Sequence, residues 1–210
     1  MKRLPALLGL LTLVTGFVDA VTYLKFGHVF VANMTGNIVF LGFAFAGAKD
    51  ISIAGSLVAL FAFLVGAFVG GVLSRQGMHE SRFLASSSLL KVVLLAVATL
   101  TSALGASPFG IIAALGITMG LQNAVARRLA IADVTTTVLT MTLTGIAADS
   151  SLGGGDDVRL GRRLLAVAIM FIGAFAGAAL VLNYGIPLTL ATAAAIVTVV
   201  SAGAYLSGEM

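Results

Sequence analysis

The chain has 210 residues, of which 60% are hydrophobic and only 10% are charged, and its mean hydropathy is +1.13. Globular domains carry about 25% charged residues, so this composition excludes an ordinary soluble enzyme or binding module. Twelve Lys and Arg against eight Asp and Glu give a formal charge of +4, and the lack of cysteine excludes disulfides and thiolate chemistry. The uncharged runs 51–74, 92–126 and 164–208 comprise 24, 35 and 45 residues, whereas a spanning helix needs about 20. The sequence therefore predicts a polytopic membrane protein.

Eight apolar segments follow one another along the chain. The first begins after Lys2 and Arg3 and continues past Asp19, so we interpret it as a spanning helix rather than a cleaved signal peptide. The second contains the polar turn Asn-Met-Thr-Gly-Asn at 33–37, and the sixth is short and rich in threonine. The predicted segments are 5–24, 29–47, 52–74, 84–104, 108–126, 134–148, 161–182 and 187–206.

An internal repeat relates the two halves of the chain. The stretch G-F-V-D-A-V at 16–21 matches G-L-Q-N-A-V at 120–125, with an offset of 104. The stretch G-A-F-V-G at 66–70 matches G-A-F-A-G at 173–177, with an offset of 107. Because the matches occur in the same order, we predict two related membrane repeats. They comprise residues 1–104 and 105–210.

The positions of Lys and Arg favour inversion of the second repeat. If all eight segments cross, with the N-terminus inside, six basic residues lie inside and five outside, which is not the usual excess of positive charge inside. If 29–47 and 134–148 instead return to the side they came from, nine lie inside and two outside. We therefore predict an all-α fold of six transmembrane helices plus two re-entrant or broken segments, in inverted repeats, with both termini cytoplasmic. Eight spanning helices in parallel repeats remain the alternative.

Polar groups within the apolar segments are candidates for a transport path. Irregular backbone at membrane depth is tolerated only inside protein or beside water. Asp19 is the only acid in a predicted spanning helix, and the repeat gives Asn123 as its equivalent. This carboxylate is either a proton or cation site, or it bonds locally to Thr22, Tyr23 or Lys25. The predicted lining for a small solute or ion is Asp19, Asn33, Thr35, Asn37, Gln122, Asn123, Thr136 and Thr140.

These polar groups also have a structural interpretation. The side chains of Asn33, Thr35 and Asn37 could satisfy their own turn, and threonine hydroxyls in membrane helices commonly bond the carbonyl four residues earlier. Small residues four apart let two helices approach closely. The predicted packing residues of this kind are Gly66, Gly70, Gly173 and Gly177.

The sequence predicts neither an enzyme nor a metal or cofactor site. It has no zinc motif and no phosphate-binding loop, and His28 and His79 have no further ligands at suitable spacing. The basic residues follow membrane topology, so we expect a lipid bilayer and a small solute or ion as partners, and no nucleic acid. We predict a small secondary transporter or channel-like facilitator, and a non-transporting assembly partner or sensor is the alternative. The glycine-rich faces are compatible with a homodimer.

Two long motifs resemble a known family. They are G-H-V-F-V-A-N-M-T-G-N-I-V-F-L-G at 27–42, and M-G-L-Q-N-A-V-A-R-R-L at 119–129 followed by T-T-T-V-L-T-M-T-L-T-G at 135–145. These motifs resemble those of the YoaK-type bacterial membrane proteins, a domain-of-unknown-function family. The resemblance covers nearly the whole chain. The resemblance implies a small protein of the bacterial inner membrane, usually counted as six-spanning and without a settled activity. It implies no role for any single residue.

Overall fold

The computed structural model describes residues 4–129, 139–149 and 160–208, and all regular structure in these ranges is α-helical. Six helices of 22–24 residues are apolar enough to cross a bilayer, and at 1.5 Å per residue they are roughly 33–36 Å long. Two others comprise 12 and 10 of the described residues. The predicted all-α membrane fold with eight helical segments is therefore confirmed. The helices are α1 Leu4–Lys25, α2 Met34–Phe45, α3 Ile53–Ser74, α4 Glu80–Ala103, α5 Pro108–Leu129, α6 Leu139–Ala148, α7 Leu160–Asn183 and α8 Ile186–Gly208.

Capping side chains shift two helix starts away from the predicted bounds. The second apolar segment becomes helical only at Met34, because the side chain of Asn33 accepts a hydrogen bond from the N–H of Gly36 at 3.2 Å. The fourth helix begins four residues earlier than predicted, at Glu80. There the side chain of His79 caps the helix, and the acidic side chain in the first turn favours the positive end of the helix dipole.

Helices α1 and α5 form the centre of the protein and bury most of their residues. Helix α3 packs mainly on α5, α7 packs on α1, and α4 packs on α8 and α5. Helix α8 also contacts α1, while the short helices α2 and α6 lie against α3 and α7. The outer helices expose large apolar side chains, among them Phe61, Phe68, Phe171 and Phe175. Such exposed faces suit contact with lipid, because acyl chains are as apolar as these side chains.

The predicted packing glycines lie where helices approach most closely. A Cβ atom added at Gly66 of α3 would overlap backbone atoms of Ile117 in α5. A Cβ atom added at Gly173 of α7 would likewise overlap the backbone of Leu13 in α1. One turn further along, the second glycine of each pair faces the same partner helix: Gly70 and Gly177.

The two ends of the connection between α1 and α3 lie next to each other, although the connection contains α2. The N–H of Ser52 donates to the carbonyl of Gly27 at 3.0 Å, and Nδ1 of His28 lies 2.8 Å from the carbonyl oxygen of Asp50. Gly27 has a φ of 78°, and a Cβ atom there would lie only 2.9 Å from the side chain of Ser52, so this close approach requires glycine. The end of α1 therefore lies beside the start of α3.

Candidate functional site

The side chain of Asp19 in α1 holds the connection after α1 in place by hydrogen bonds. It is 7% exposed, and its Oδ1 accepts hydrogen bonds from the backbone N–H groups of Val31 and Ala32 at 2.9 and 3.0 Å. Both donors lie in the non-helical stretch before α2, so no helix satisfies them. The hydroxyl of Thr22, a predicted local partner, donates instead to the carbonyl of Val18 at 3.1 Å. The carboxylate thus bonds a segment twelve residues away rather than its own turn.

The asparagines of the second segment hold α2 in position. Asn37 is fully buried, and its amide pairs with both backbone groups of Phe30. Its Oδ1 accepts from the N–H at 2.9 Å, and its Nδ2 donates to the carbonyl at 2.6 Å. Asn33 caps α2, whereas Thr35 is exposed. Two of the three predicted lining residues here therefore have structural hydrogen-bonding partners.

Gln122 joins α5 to α1 at the centre of the protein. Its Nε2 donates to the carbonyl of Leu11 at 3.1 Å and to Oγ1 of Thr15 at 2.8 Å. Its Oε1 is buried and accepts no hydrogen bond from any residue that the structure describes. Because the carbonyl of Leu11 can only accept, turning the amide over would lose that bond. Gln122 consequently presents an unsatisfied acceptor to the core.

Asn123 has different surroundings from its neighbour Gln122. It is half-buried, and its Nδ2 donates to the carbonyl of Met119 at 2.9 Å. It also lines a cavity of about 850 Å³ between the ends of α3 and α5. The basic side chains at this cavity are Arg75, Arg127 and Arg128.

The predicted threonine lining is only partly described. Thr140 of α6 is exposed, and its carbonyl accepts a hydrogen bond from Oγ1 of Thr144 at 2.9 Å. The end of α6 is held to α7 by an ion pair of 2.6 Å between Arg163 and Asp149. Thr136 lies outside the described residues.

Lys91 of α4 is a buried ionisable residue that the sequence-based lining did not include. Its side chain is fully buried, and its Nζ has no hydrogen-bonding partner among residues 4–129, 139–149 and 160–208. Ser88, one turn earlier on the same face, is also fully buried, and its hydroxyl has no partner among the described residues. A sequence signal was available, because Lys91 is the only charged residue between Arg82 and Arg127. A charge at the centre of a membrane helix costs at least about 2.5–3.5 kcal/mol and is by default a functional candidate.

Lys91, Ser88 and Gln122 lie at one depth in the fold, and we call them the core polar group. Helix α4 ends at Ala103 and α5 begins at Pro108, so the two helices run antiparallel from this short connection. Gln122 is 14 residues beyond Pro108, while Lys91 and Ser88 are 12 and 15 residues before Ala103. At 1.5 Å per residue, all three lie roughly 18–23 Å from the connection, within the middle third of these helices.

A comparison with known protein families shows to which family the chain belongs. The family described as "Protein of unknown function (DUF1275)" matches residues 7–203, a range that contains the core polar group. The chain belongs to the DUF1275 family. It is also similar to the UPF0700 transmembrane protein YoaK of Bacillus subtilis (strain 168), with 37% identity over 149 residues. That alignment covers 69% of this chain and 66% of the relative, slightly less than two thirds of its length.

The predicted resemblance to YoaK-type proteins is thus confirmed. No solved structure matches this DUF1275 chain. The transmembrane relative and the six long apolar helices together indicate a multi-pass membrane protein. The description of DUF1275 carries no activity, so the function has to be argued from the polar groups of this chain.

Proposed function

We propose that this DUF1275 protein is a small secondary transporter or channel-like facilitator, not an enzyme, with a path for a small solute or ion between two inverted repeats. The observation that carries the proposal is the core polar group, whose members Lys91, Ser88 and Gln122 bury atoms that have no partner among the described residues. Buried polar atoms are normally hydrogen-bonded, and ionisable residues inside membrane proteins mark substrate or ion paths. A role in assembly would be served better by polar groups on the outer surface.

Helix packing supports the proposed repeat. In the proposed repeat, α7 is the equivalent of α3, and α5 is the equivalent of α1. Helix α3 packs on α5, and α7 packs on α1, over an extensive contact in both cases. The correspondence extends to single contacts: Gly66 meets Ile117, and their equivalents Gly173 and Leu13 also meet. Helices α4 and α8 are equivalent to each other and also pack together. A two-fold relation between the halves accounts for all three pairings.

The direction of α4 and α8 supports inversion. Oγ of Ser201, near the end of α8, donates to the carbonyl of Ala85, near the start of α4, at 3.0 Å. Such a contact brings opposite ends together, so these equivalent helices pack antiparallel. If all eight segments crossed the membrane, α8 would be the fourth crossing after α4, so the two helices would run parallel. Six crossings make them antiparallel, as in transporters with inverted-topology repeats.

The connection around α2 supports a re-entrant segment. Helix α2 has 12 residues, roughly 18 Å, which is too short to cross a bilayer core of about 30 Å. The hydrogen bond between Ser52 and Gly27 joins the two ends of the connection, so α1 and α3 meet on the same side. By the repeat, we assign α6, with 10 residues, the same role from the opposite side. We place the protein in the bacterial inner membrane with both termini cytoplasmic, following the distribution of basic residues.

Single-cysteine labelling tests this topology, and the natural chain needs no cysteine removed. The variants Lys49→Cys, Gln76→Cys and Ser107→Cys each change an exposed residue in a connection. In intact cells, an impermeant maleimide should label positions 49 and 107, while position 76 should react only after lysis. The reverse pattern would establish eight crossings and parallel repeats, and would remove the structural basis of the proposed path.

Flux through reconstituted vesicles tests the transport function. A panel of radiolabelled or fluorescent small solutes, both charged and neutral, should include at least one whose uptake exceeds that of protein-free vesicles. We expect Lys91→Met to lower that uptake at least about tenfold, because hydrogen bonds to a charged group contribute about 1.5–3 kcal/mol. The matched control is Val93→Met in the same helix, which changes an exposed side chain and should keep uptake within about twofold. Absence of flux for every solute, together with a stable co-purifying protein, would favour the assembly or sensor role.

A further inference from the structure

We infer that the substrate of the proposed path is a small anion bearing a hydrogen-bond donor, held by the core polar group. Lys91 and Ser88 would donate to its negative oxygen, and Oε1 of Gln122 would accept from its O–H. This inference rests on the proposed function and adds the chemical class of the solute. The shared chemistry is that of a small hydroxy acid or of an oxyanion that keeps one proton.

The first step is that, within the described part of the chain, no acidic side chain is paired with Nζ of Lys91. The helices packed against α4 carry few charged residues: α8 and α3 have none, and α5 has only Arg127 and Arg128 at its end. In α1, which contacts both α5 and α8, the single acid is Asp19. Its Oδ1 already accepts two backbone hydrogen bonds. The charged form of a buried lysine without a partner is strongly unfavourable, so an anion from outside the chain would stabilise that form.

The second step is that the unsatisfied atoms complement one ligand. Nζ of Lys91 and the hydroxyl of Ser88 are donors, one helical turn apart on a single face of α4. Oε1 of Gln122 is an acceptor at the same depth on the neighbouring helix α5. A simple halide would satisfy only the donors. A hydroxy acid such as glycolate offers both a carboxylate and an O–H, and would satisfy all three atoms.

The third step concerns access. The side chains of Lys91 and Ser88 are fully buried, so the site is closed to both membrane surfaces in this structure. Its members belong to α4 and α5, which pack on each other, and α8 and α1 pack on these two helices. The four helices come from both halves of the chain. Movement of one half against the other would open such a site to either side in turn, as in transporters with inverted repeats.

Calorimetric titration of the detergent-purified protein tests this inference without needing transport. The probes are glycolate, acetate and the neutral ethylene glycol, in a buffer with gluconate as the bulky counter-anion. We expect glycolate to bind about tenfold more tightly than acetate, and ethylene glycol not to bind. Lys91→Met should weaken glycolate binding at least about tenfold, and Val93→Met should leave it unchanged. Gln122→Met should remove the preference for glycolate over acetate while binding of acetate persists.

Each further outcome decides between the two proposals. Absence of binding for both acids to the wild-type protein overturns the inference, and so does equal binding of ethylene glycol. Because these are measurements on the wild-type chain, they hold even if Lys91→Met does not fold. If acids bind but no solute crosses a vesicle membrane, the site stands and the transport function fails. If neither acid binds and vesicles take up only neutral or cationic solutes, transport stands and the anion site is wrong.

Discussion

Replacing Gly120 by alanine is expected to destabilise the protein by about 3 kcal/mol, the upper end of the usual range for overpacking a core. Gly120 lies in α5 at its contact with α3. An added Cβ atom would overlap the carbonyl oxygen of Phe63 and come within 2.8 Å of the N–H nitrogen of Ala67. Both are backbone atoms of α3 and cannot rotate away. The two helices would have to separate along their whole contact, and close packing is a main force that holds membrane helices together.

The measurement is the free energy of unfolding, from far-ultraviolet circular dichroism in mixed micelles of increasing dodecyl sulfate content. Gly110→Ala is the matched control in the same helix, because nothing lies within 4 Å of a Cβ atom there. It should leave stability unchanged or raise it by up to about 1 kcal/mol, since alanine favours a helix over glycine. Gly16→Ala, the repeat equivalent, should destabilise about as much as Gly120→Ala. If Gly120→Ala unfolds with the wild type, α3 and α5 do not pack as closely as described.

The sequence predicted the helices well because their signals are local or additive. An uncharged apolar run of bilayer length indicates a membrane-spanning helix, so the sequence predicted all six long helices. The polar residues at 33–37 likewise indicated the break before α2. The helix starts were less accurate. Glu80, Ser81 and Arg82 resemble a loop in hydropathy, but they belong to α4. His79 caps this helix, and the acidic side chain of Glu80 favours the positive end of its dipole.

The candidate site was harder to predict because its contacts are not local. Gln122 bonds residues of α1 that are 107 and 111 positions away, and no spacing rule reaches so far. The partners of Asp19 are backbone N–H groups, which every residue except proline carries, so no residue type indicates them in the sequence. Lys91 is visible in the sequence as a lone charge, but only the fold shows that its side chain is fully buried.

The structure separates the polar residues of the membrane region by whether their hydrogen bonds are satisfied. Asp19, Asn33 and Asn37 have backbone partners around α2, so their contacts explain why they are polar. In the described part of the chain Nζ of Lys91 has no partner, and Gln122 leaves its Oε1 unsatisfied although its Nε2 bonds α1, so hydrogen bonds there do not fully account for either residue. This contrast moves the centre of the proposed path from Asp19 to the core polar group. The predicted lining as a whole stays a prediction: Asp19, Asn33, Thr35, Asn37, Gln122, Asn123, Thr136 and Thr140.

Replacing Asp19 by leucine is expected to destabilise the segment 26–45 by at least about 2 kcal/mol. The N–H groups of Val31 and Ala32 would lose their acceptor, and each buried donor left unpaired costs about 1–3 kcal/mol. Amide hydrogen exchange, followed by mass spectrometry of peptides from this segment, measures the loss directly. Asp19→Asn is the matched control, because its amide oxygen still accepts from the same groups and should preserve most of the protection.

The same pair of variants separates the two interpretations of Asp19 that the sequence left open. If the carboxylate only fastens the connection, Asp19→Asn should transport the solute with the pH dependence of the wild type. If Asp19 exchanges a proton during transport, Asp19→Asn should abolish that pH dependence while hydrogen exchange of 26–45 stays slow. Because the two readouts are independent, a loss of coupling could not be mistaken for a loss of structure. The hydrogen bonds from Val31 and Ala32 to a single oxygen lead us to expect the first result.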